Sequence, residues 1–302
     1  MGNKTFSRID DILSGHASEK LVDACLVLEG GAFRGLYGEG VLDYWMQNDM
    51  NFSCVIGVSA GALNGLNYVS GQIGRAARAN LNSRYDRNYI GGGAIRKSHS
   101  LINLNYLFRD YNHIEPFDLN RFNRPQQRFI VVATDCRSGE TLYFEKGKCR
   151  DIFTAAKSSA SMPVISPMVN VDGTPCLDGG CSCKIAYHWA LDEGFEKIIV
   201  VRTRERGYRK RLSDKAIALS EKLYKHYPEF TEVLRRSDLD YNRQCRELED
   251  LEKEGRIFMI APSRPVTVSR VEKDLEKLGE LYELGVNDAI AEMERLKAYL
   301  EK

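Results

Sequence analysis

The stretch Val55-Ile56-Gly57-Val58-Ser59-Ala60-Gly61 constrains the fold most, because it turns an apolar run abruptly into a helix and leaves a serine at the corner. Residues 51–57 read as a short buried strand. Residues 60–69 read as a helix with Leu63, Leu66 and Asn67 on neighbouring turns. A turn this sharp forces the serine into strained backbone angles, and Gly57 and Gly61 remove side chains that would collide with the incoming strand and outgoing helix. The hydroxyl is pushed clear of the sheet. The new helix aims its free N–H groups and the positive end of its dipole at whatever sits on that hydroxyl, which suits a developing oxyanion. Gly-x-Ser-x-Gly alone is a weak pattern, and its weight comes from the strand, turn and helix order around it.

Upstream, the apolar run 24–28 ends in Glu29-Gly30-Gly31-Ala32-Phe33-Arg34-Gly35, followed by a helical pattern through Val41, Leu42, Trp45 and Met46. A dinucleotide site would want G-x-G-x-x-G and an acidic residue at the end of the next strand. Here Ala32 replaces the second glycine and that acid is missing. A phosphate loop would end in Gly-Lys-Ser/Thr, which is also missing. An oxyanion hole remains, with backbone N–H groups of residues 30–32 facing the elbow serine. This reading uses both motifs, since two neighbouring parallel strands would present the glycine loop and Ser59 at one C-terminal sheet edge, where α/β sheets hold their ligands. Without the elbow, the same residues would read as an ordinary tight turn.

Further along, residues 72–83 read as a helix. Residues 84–116 are rich in glycine, asparagine and aromatics, including Gly91-Gly92-Gly93 and Tyr106, and suggest either a cover over an apolar cleft or a plain surface loop. His99 and His113 fall there as polar loop residues. Residues 129–135 form a buried strand with a hairpin return at 140–144, and 151–158 a short helix. Asp172-Gly173 turns between two short strands, the second ending at Asp178 before Gly179-Gly180. An aspartate so placed is, by itself, commonly just a capped turn. Helix at 185–193, strand at 197–201, charged helix over 213–254, a last strand at 257–261 and an amphipathic tail over 271–300 complete the chain. The alternation indicates an α/β layer fold with a largely parallel sheet. The expected division is a polar segment 1–23, a catalytic domain 24–202, and a helix-rich extension 203–302 with one strand completing or flanking the core.

At 302 residues, 43% hydrophobic, the chain can bury a large core. A net charge of +1 gives no global reason to expect nucleic acid as a partner. No apolar run is long enough to span a membrane, and residues 1–20 are too polar for a secretory core, so the expected location is cytoplasmic. Gly2 fails as a myristoylation site because Phe6 stands where Ser or Thr is needed. Cys176, Cys181 and Cys183 cluster without the C-x-x-C pairs or histidines of a zinc site, so no metal and no cofactor is expected.

Taken together, the Gly30 loop, the Ser59 elbow and Asp178-Gly179-Gly180 occur in an order that resembles the patatin-like phospholipase family over residues 24–202. Ser158-Ser159-Ala160-Ser161-Met162-Pro163 looks like the family's segment before its aspartate, and the remainder, including 263–285, looks like an extension carried by a group of bacterial members. The resemblance implies a three-layer α/β/α fold. It also implies a Ser-Asp dyad without histidine, with Ser59 as nucleophile and Asp178 as base. The amides of Gly30, Gly31 and Ala32 would form the oxyanion hole, with Arg34 holding the loop in shape. Ala32 departs from the family's third glycine and restricts the backbone there, whereas Gly180 fits the pattern after the aspartate. The implied substrate is a lipid acyl ester, with peripheral membrane contact on substrate grounds. One rival is an α/β-hydrolase with a Ser-Asp-His triad, for which His188 or His226 follows Asp178 in the required order. Another is a non-catalytic lipid- or protein-binding module with a vestigial elbow.

Overall fold

The structure, a computed structural model, describes residues 5–211 and 214–302. Its strands are β1 Gly15–His16, β2 Val22–Leu28, β3 Phe52–Val58, β4 Gln72–Ile73, β5 Arg128–Asp135, β6 Thr141–Glu145, β7 Val169–Val171, β8 Thr174–Asp178, β9 Ile198–Val201 and β10 Phe258–Ile260. The helices are α1 Gly35–Gln47, α2 Ala60–Val69, α3 Arg75–Ser83, α4 Gly92–Ser98, α5 Leu119–Phe122, α6 Ile152–Ser159, α7 Tyr187–Asp192, α8 Asp214–Leu223, α9 Pro228–Lys253 and α10 Leu275–Glu301. Gly2 lies outside the described residues, as does residue 213 of the helical stretch expected over 213–254.

The apolar runs become strands because they are covered on both faces. Leu26, Leu28, Val55, Val131, Ile199 and Ile260 point into a core under α1, α2 and α10, while the alternate residues Cys25, Val27, Ile56, Val132, Val200 and Met259 meet Tyr187 of α7 and Tyr241 and Cys245 of α9. Period-two alternation with no polar face is the signature of a sheet buried between two helical layers. The fold is therefore three-layer α/β/α. On the α1 side, Gly40 and Gly285 let two helices touch backbone to backbone: a Cβ on Gly40 would strike the Tyr282 carbonyl, and one on Gly285 the Tyr37 carbonyl.

Strands β10, β9, β2, β3 and β5 run parallel in that order. The chain builds outward from β2 through β3 to β5, then returns to β2's other side for β9 and β10, so the winding reverses between β2 and β9. Beyond β3, β5 changes partner. Its Arg128–Val132 portion pairs with β3, and Ala133 to Asp135 pair antiparallel with β8. Because β6 occupies the opposite edge from Ile130 to Thr134, β3 and β8 follow one another along a single edge of β5.

Residues 72–83 are not one helix as expected. Gln72–Ile73 pairs with Gly15–His16, and the helix begins at Arg75 after Gly74 turns at φ 77°. Two residues are too few to show a period, and the pairing is decided by what lies opposite.

Candidate active site

Ser59 joins β3 to α2 with φ 56° and ψ −121°, a sparsely populated conformation for a residue with a Cβ. The glycines around it are sterically required. A Cβ on Gly57 would lie 2.5 Å from the Gly61 carbonyl oxygen, and one on Gly61 would strike the Leu28 carbonyl. The Ser59 N–H donates to Ser159 Oγ at 2.8 Å, which ties the turn to the end of α6. The hydroxyl donates to Asp178 Oδ2 at 2.7 Å, with both residues buried.

Asp178 arrives by strand register. Val58 pairs with Val132 and Asp178 with Ala133, so the end of β8 meets the end of β3 on the same edge of β5. The Asp178 N–H donates to the Ser161 carbonyl at 2.9 Å, and its own carbonyl accepts from Thr134 Oγ1 at 2.9 Å. The second carboxylate oxygen accepts from the Gly180 N–H at 2.7 Å. At Gly179 a Cβ would collide with the Val132 carbonyl, so the backbone passes where no side chain fits. Burial pushes the Asp178 carboxyl above the usual aspartate value, against the Ser59 and Gly180 hydrogen bonds, which pull it down.

The loop after β2 lies against the serine: a Cβ on Gly30 would come 2.8 Å from Ser59 Cβ. Arg34 Nε donates to the Gly31 carbonyl at 3.1 Å, and Thr203 Oγ1 donates to the Gly30 carbonyl at 2.7 Å, so two side chains hold the loop by its carbonyls. Ala32 takes φ 50°, the left-handed region that glycine adopts without cost, so the Ala32 substitution leaves the turn in place with local strain. Glu29 is buried, accepts from the Thr203 N–H at 2.6 Å, and lies 3.8 Å from the buried Arg202 guanidinium.

Two cavities meet at Ser59, Ala32 and Met162. One runs under the 84–116 segment between Leu63, Leu66, Leu104, Phe108 and Phe117, so that segment does wall an apolar cleft. It contains α4 and a π-helical turn at Tyr106–Asp110 rather than irregular chain alone. The other opens over Asp178, Arg34, Arg204 and Arg270. None of the five histidines lines either cavity. His99, His113 and His226 are exposed, and half-exposed His188 pairs with Glu247 at 3.2 Å and stacks on Tyr187. A Ser-Asp-His triad has no histidine in contact with Ser59 or Asp178. Among the described residues no three His, Cys, Asp or Glu side chains gather as a metal site would require, and the eight cysteines are free thiols.

Sequence reasoning missed Ser159, Ser161 and Thr203 as positioning groups. Ser159 and Ser161 lie in the segment noted for its resemblance, but nothing in their spacing marks the Ser159 hydroxyl that accepts from the turn's amide or the Ser161 carbonyl that accepts from the Asp178 N–H.

A model of a domain of unknown function, DUF6363, matches residues 227–301. The Escherichia coli (strain K12) protein titled "Uncharacterized protein YjjU" is 29% identical over 184 residues, which are 59% of this chain; the chain spans about half (51%) of that curated relative's length. Among solved structures, VipD from Legionella pneumophila aligns with TM-score 0.46 at 12% identity over 95% of this chain and 68% of that one. The type III effector protein ExoU aligns with TM-score 0.29 at 13% identity over 80% and 63%. The model of the patatin-like phospholipase family matches residues 26–187, more than half of the sequence and all three motifs, and the chain belongs to that family.

Proposed function

We propose that the chain is a serine acyl hydrolase that cleaves lipid acyl esters, of phospholipase A or lysophospholipase type, through a Ser59-Asp178 dyad. The observation that carries the reading is the 2.7 Å hydrogen bond from Ser59 Oγ to a buried carboxylate, at the point where an apolar and a polar cavity meet. Ser59 Oγ attacks the ester carbonyl while its proton passes to Asp178 Oδ2. The tetrahedral oxyanion takes hydrogen bonds from the amides of Gly30, Gly31 and Ala32, each donor worth about a hundred- to a thousandfold in rate. Asp178 then gives its proton to the departing alcohol oxygen, leaving acyl-Ser59. Water next loses a proton to Asp178 as it attacks the acyl carbon. The serine oxygen takes that proton back, and the fatty acid leaves.

A carboxylate is a weak base, and burial that raises the Asp178 pKa strengthens it for this task. Arg34 keeps the donor loop in shape. In this reading the catalytic unit is 24–202, and the extension 203–302 supplies the far wall of the polar cleft. Work on a bilayer brings the chain to a membrane surface from the cytoplasm; no helix among the described residues is long and apolar enough to cross one.

The test is a fluorophosphonate probe together with fatty-acid release. Stoichiometric labelling that vanishes in Ser59→Ala, and hydrolysis abolished in folded Asp178→Asn but retained in His188→Ala and His226→Ala, supports the dyad. Folded wild-type protein that takes no probe refutes the reading in favour of a binding module. A dead but folded histidine variant refutes the dyad.

A further inference from the structure

Cations crowd one place in a chain whose total charge is only +1. Arg34, Lys184, Arg204, Lys210 and Arg270 all line the polar cavity beside Ser59. A sixth cation there, Arg235, is paired with Glu221 and Glu232, but ion pairing does not account for the other five. Arg34, Arg204 and Arg270 have no carboxylate partner among the described residues, and Lys184 and Lys210 share Asp238, at 3.9 and 3.3 Å. Arg204 is held rigidly: its Nη1 donates to the Val266 carbonyl at 2.6 Å and its guanidinium lies 4.3 Å over the Tyr208 ring, while its buried Nε has no acceptor. A guanidinium fixed by packing, with a donor to spare, is pre-organised for an oxyanion.

The crowding is also unfavourable as it stands. Burial first, and then Lys184, push Lys210 down to about 7; burial, Arg204 and Arg270 push Arg34 down to about 10. The position fits a ligand as well. Arg34 follows β2 and Arg204 follows β9, the two strands between which the winding reverses, and open α/β sheets bind ligands in that crevice.

We propose that this cleft is a head-group subsite selecting phospholipids whose head group carries a net negative charge. The inference rests on the hydrolase reading. With the scissile ester at Ser59 and the acyl chain in the apolar cavity, the rest of the lipid extends toward Arg204 and Arg270. Their charge-assisted hydrogen bonds to a phosphate would favour phosphatidic acid over zwitterionic phosphatidylcholine by about tenfold or more.

The full chain carrying Ser59→Ala is titrated calorimetrically with dihexanoyl phosphatidic acid, dihexanoyl phosphatidylcholine and inorganic phosphate, each lipid below its micelle concentration. The expected result is at least tenfold tighter binding of phosphatidic acid than of the other two, weakening with salt, with the preference lost in Arg204→Gln/Arg270→Gln. Arg270 is exposed, so Arg270→Gln alone keeps the measurement available if the double variant misfolds. Equal binding of the two lipids, no binding of phosphatidic acid, or a preference untouched by the arginine variants overturns the subsite. Inorganic phosphate binding as tightly as phosphatidic acid assigns the cleft to free phosphate and overturns the lipid assignment. Fluorophosphonate labelling of the wild-type chain separates the two readings: labelled protein without a charge preference rejects only the subsite, while unlabelled protein rejects the hydrolase.

Discussion

Replacing Glu39 by glutamine should make the protein markedly more stable at alkaline pH and leave it nearly unchanged at acid pH. Glu39 sits on α1, buried in the wall of the apolar cavity. Its Oε1 accepts from Asn80 Nδ2 at 2.9 Å, and its Oε2 has no partner. Burial, reinforced by Asp43 one turn on, pushes its carboxyl from 4.5 up to about 8. That difference means ionisation costs about 5 kcal/mol more in the fold than in the unfolded chain. Between the two values the native state holds a proton that the unfolded state has shed. Stability is therefore full below about pH 4.5, falls by about 1.4 kcal/mol per pH unit above it, and reaches its floor past about 8. Glutamine keeps the shape and the Asn80 contact, and its amide nitrogen meets the same lack of an acceptor as the protonated oxygen does. At pH 9 the variant should gain about 2 to 5 kcal/mol, the lower end applying if the helix relaxes enough to wet the carboxylate. At pH 5 the two proteins should agree within about 1 kcal/mol. Urea unfolding midpoints at pH 5, 7 and 9 read this directly. Stability curves of wild type and variant that stay parallel across that range would refute a buried, partnerless carboxylate at this position.

Gly30→Ala should leave a folded protein with ester hydrolysis and fluorophosphonate labelling slowed by about a hundredfold. The new Cβ would lie 2.8 Å from both Ser59 Cβ and the Val58 carbonyl oxygen, so the donor loop must move off the serine; unchanged labelling would show that it does not lie there. Probe labelling should also rise with pH. Only ionised Asp178 accepts the serine proton, and the midpoint should stand above the ordinary aspartate value because burial raises it. A midpoint at or below 3.8 would count against a desolvated base.

How much of this was legible before any coordinates depended on how local each signal was. The strands at β2, β3, β5, β9 and β10 are runs with no polar face, and such runs imply layers on both sides wherever they occur. Gly57 and Gly61 were legible for a similar reason, since a turn that tight excludes side chains regardless of context. Asp178 was not. Read alone, Asp-Gly-Gly is a capped turn, and only the resemblance marked it, because the partner strand that brings it to Ser59 is set by tertiary pairing. The glycine triplet at 91–93 suggested irregular chain, yet α4 starts within it, after Gly91 turns at φ 96° and donates its N–H to the Leu101 carbonyl. The basic cleft was the least legible feature. Its six cations are spread from residue 34 to residue 270, and a net charge summed over the chain conceals them.

The register along β5 also bears on how, in the proposed dyad, two groups 119 residues apart would serve as a pair without a third to orient them. In a triad the base is an imidazole, whose ring must be held in one tautomer and orientation by another side chain. In the proposed dyad the base would be a carboxylate two bonds from a backbone that is itself fastened on both sides, by the Ser161 carbonyl and the Thr134 hydroxyl, while the Gly180 N–H occupies the oxygen that does not face the serine. Consecutive pairings on one strand edge, Val58 with Val132 and Asp178 with Ala133, set the spacing between nucleophile and carboxylate by the strand repeat of about 3.3 Å rather than by side-chain packing. On that proposal the sheet would supply the orientation that a third residue supplies elsewhere, and what would remain for side chains is to bury the carboxylate enough to make it a base.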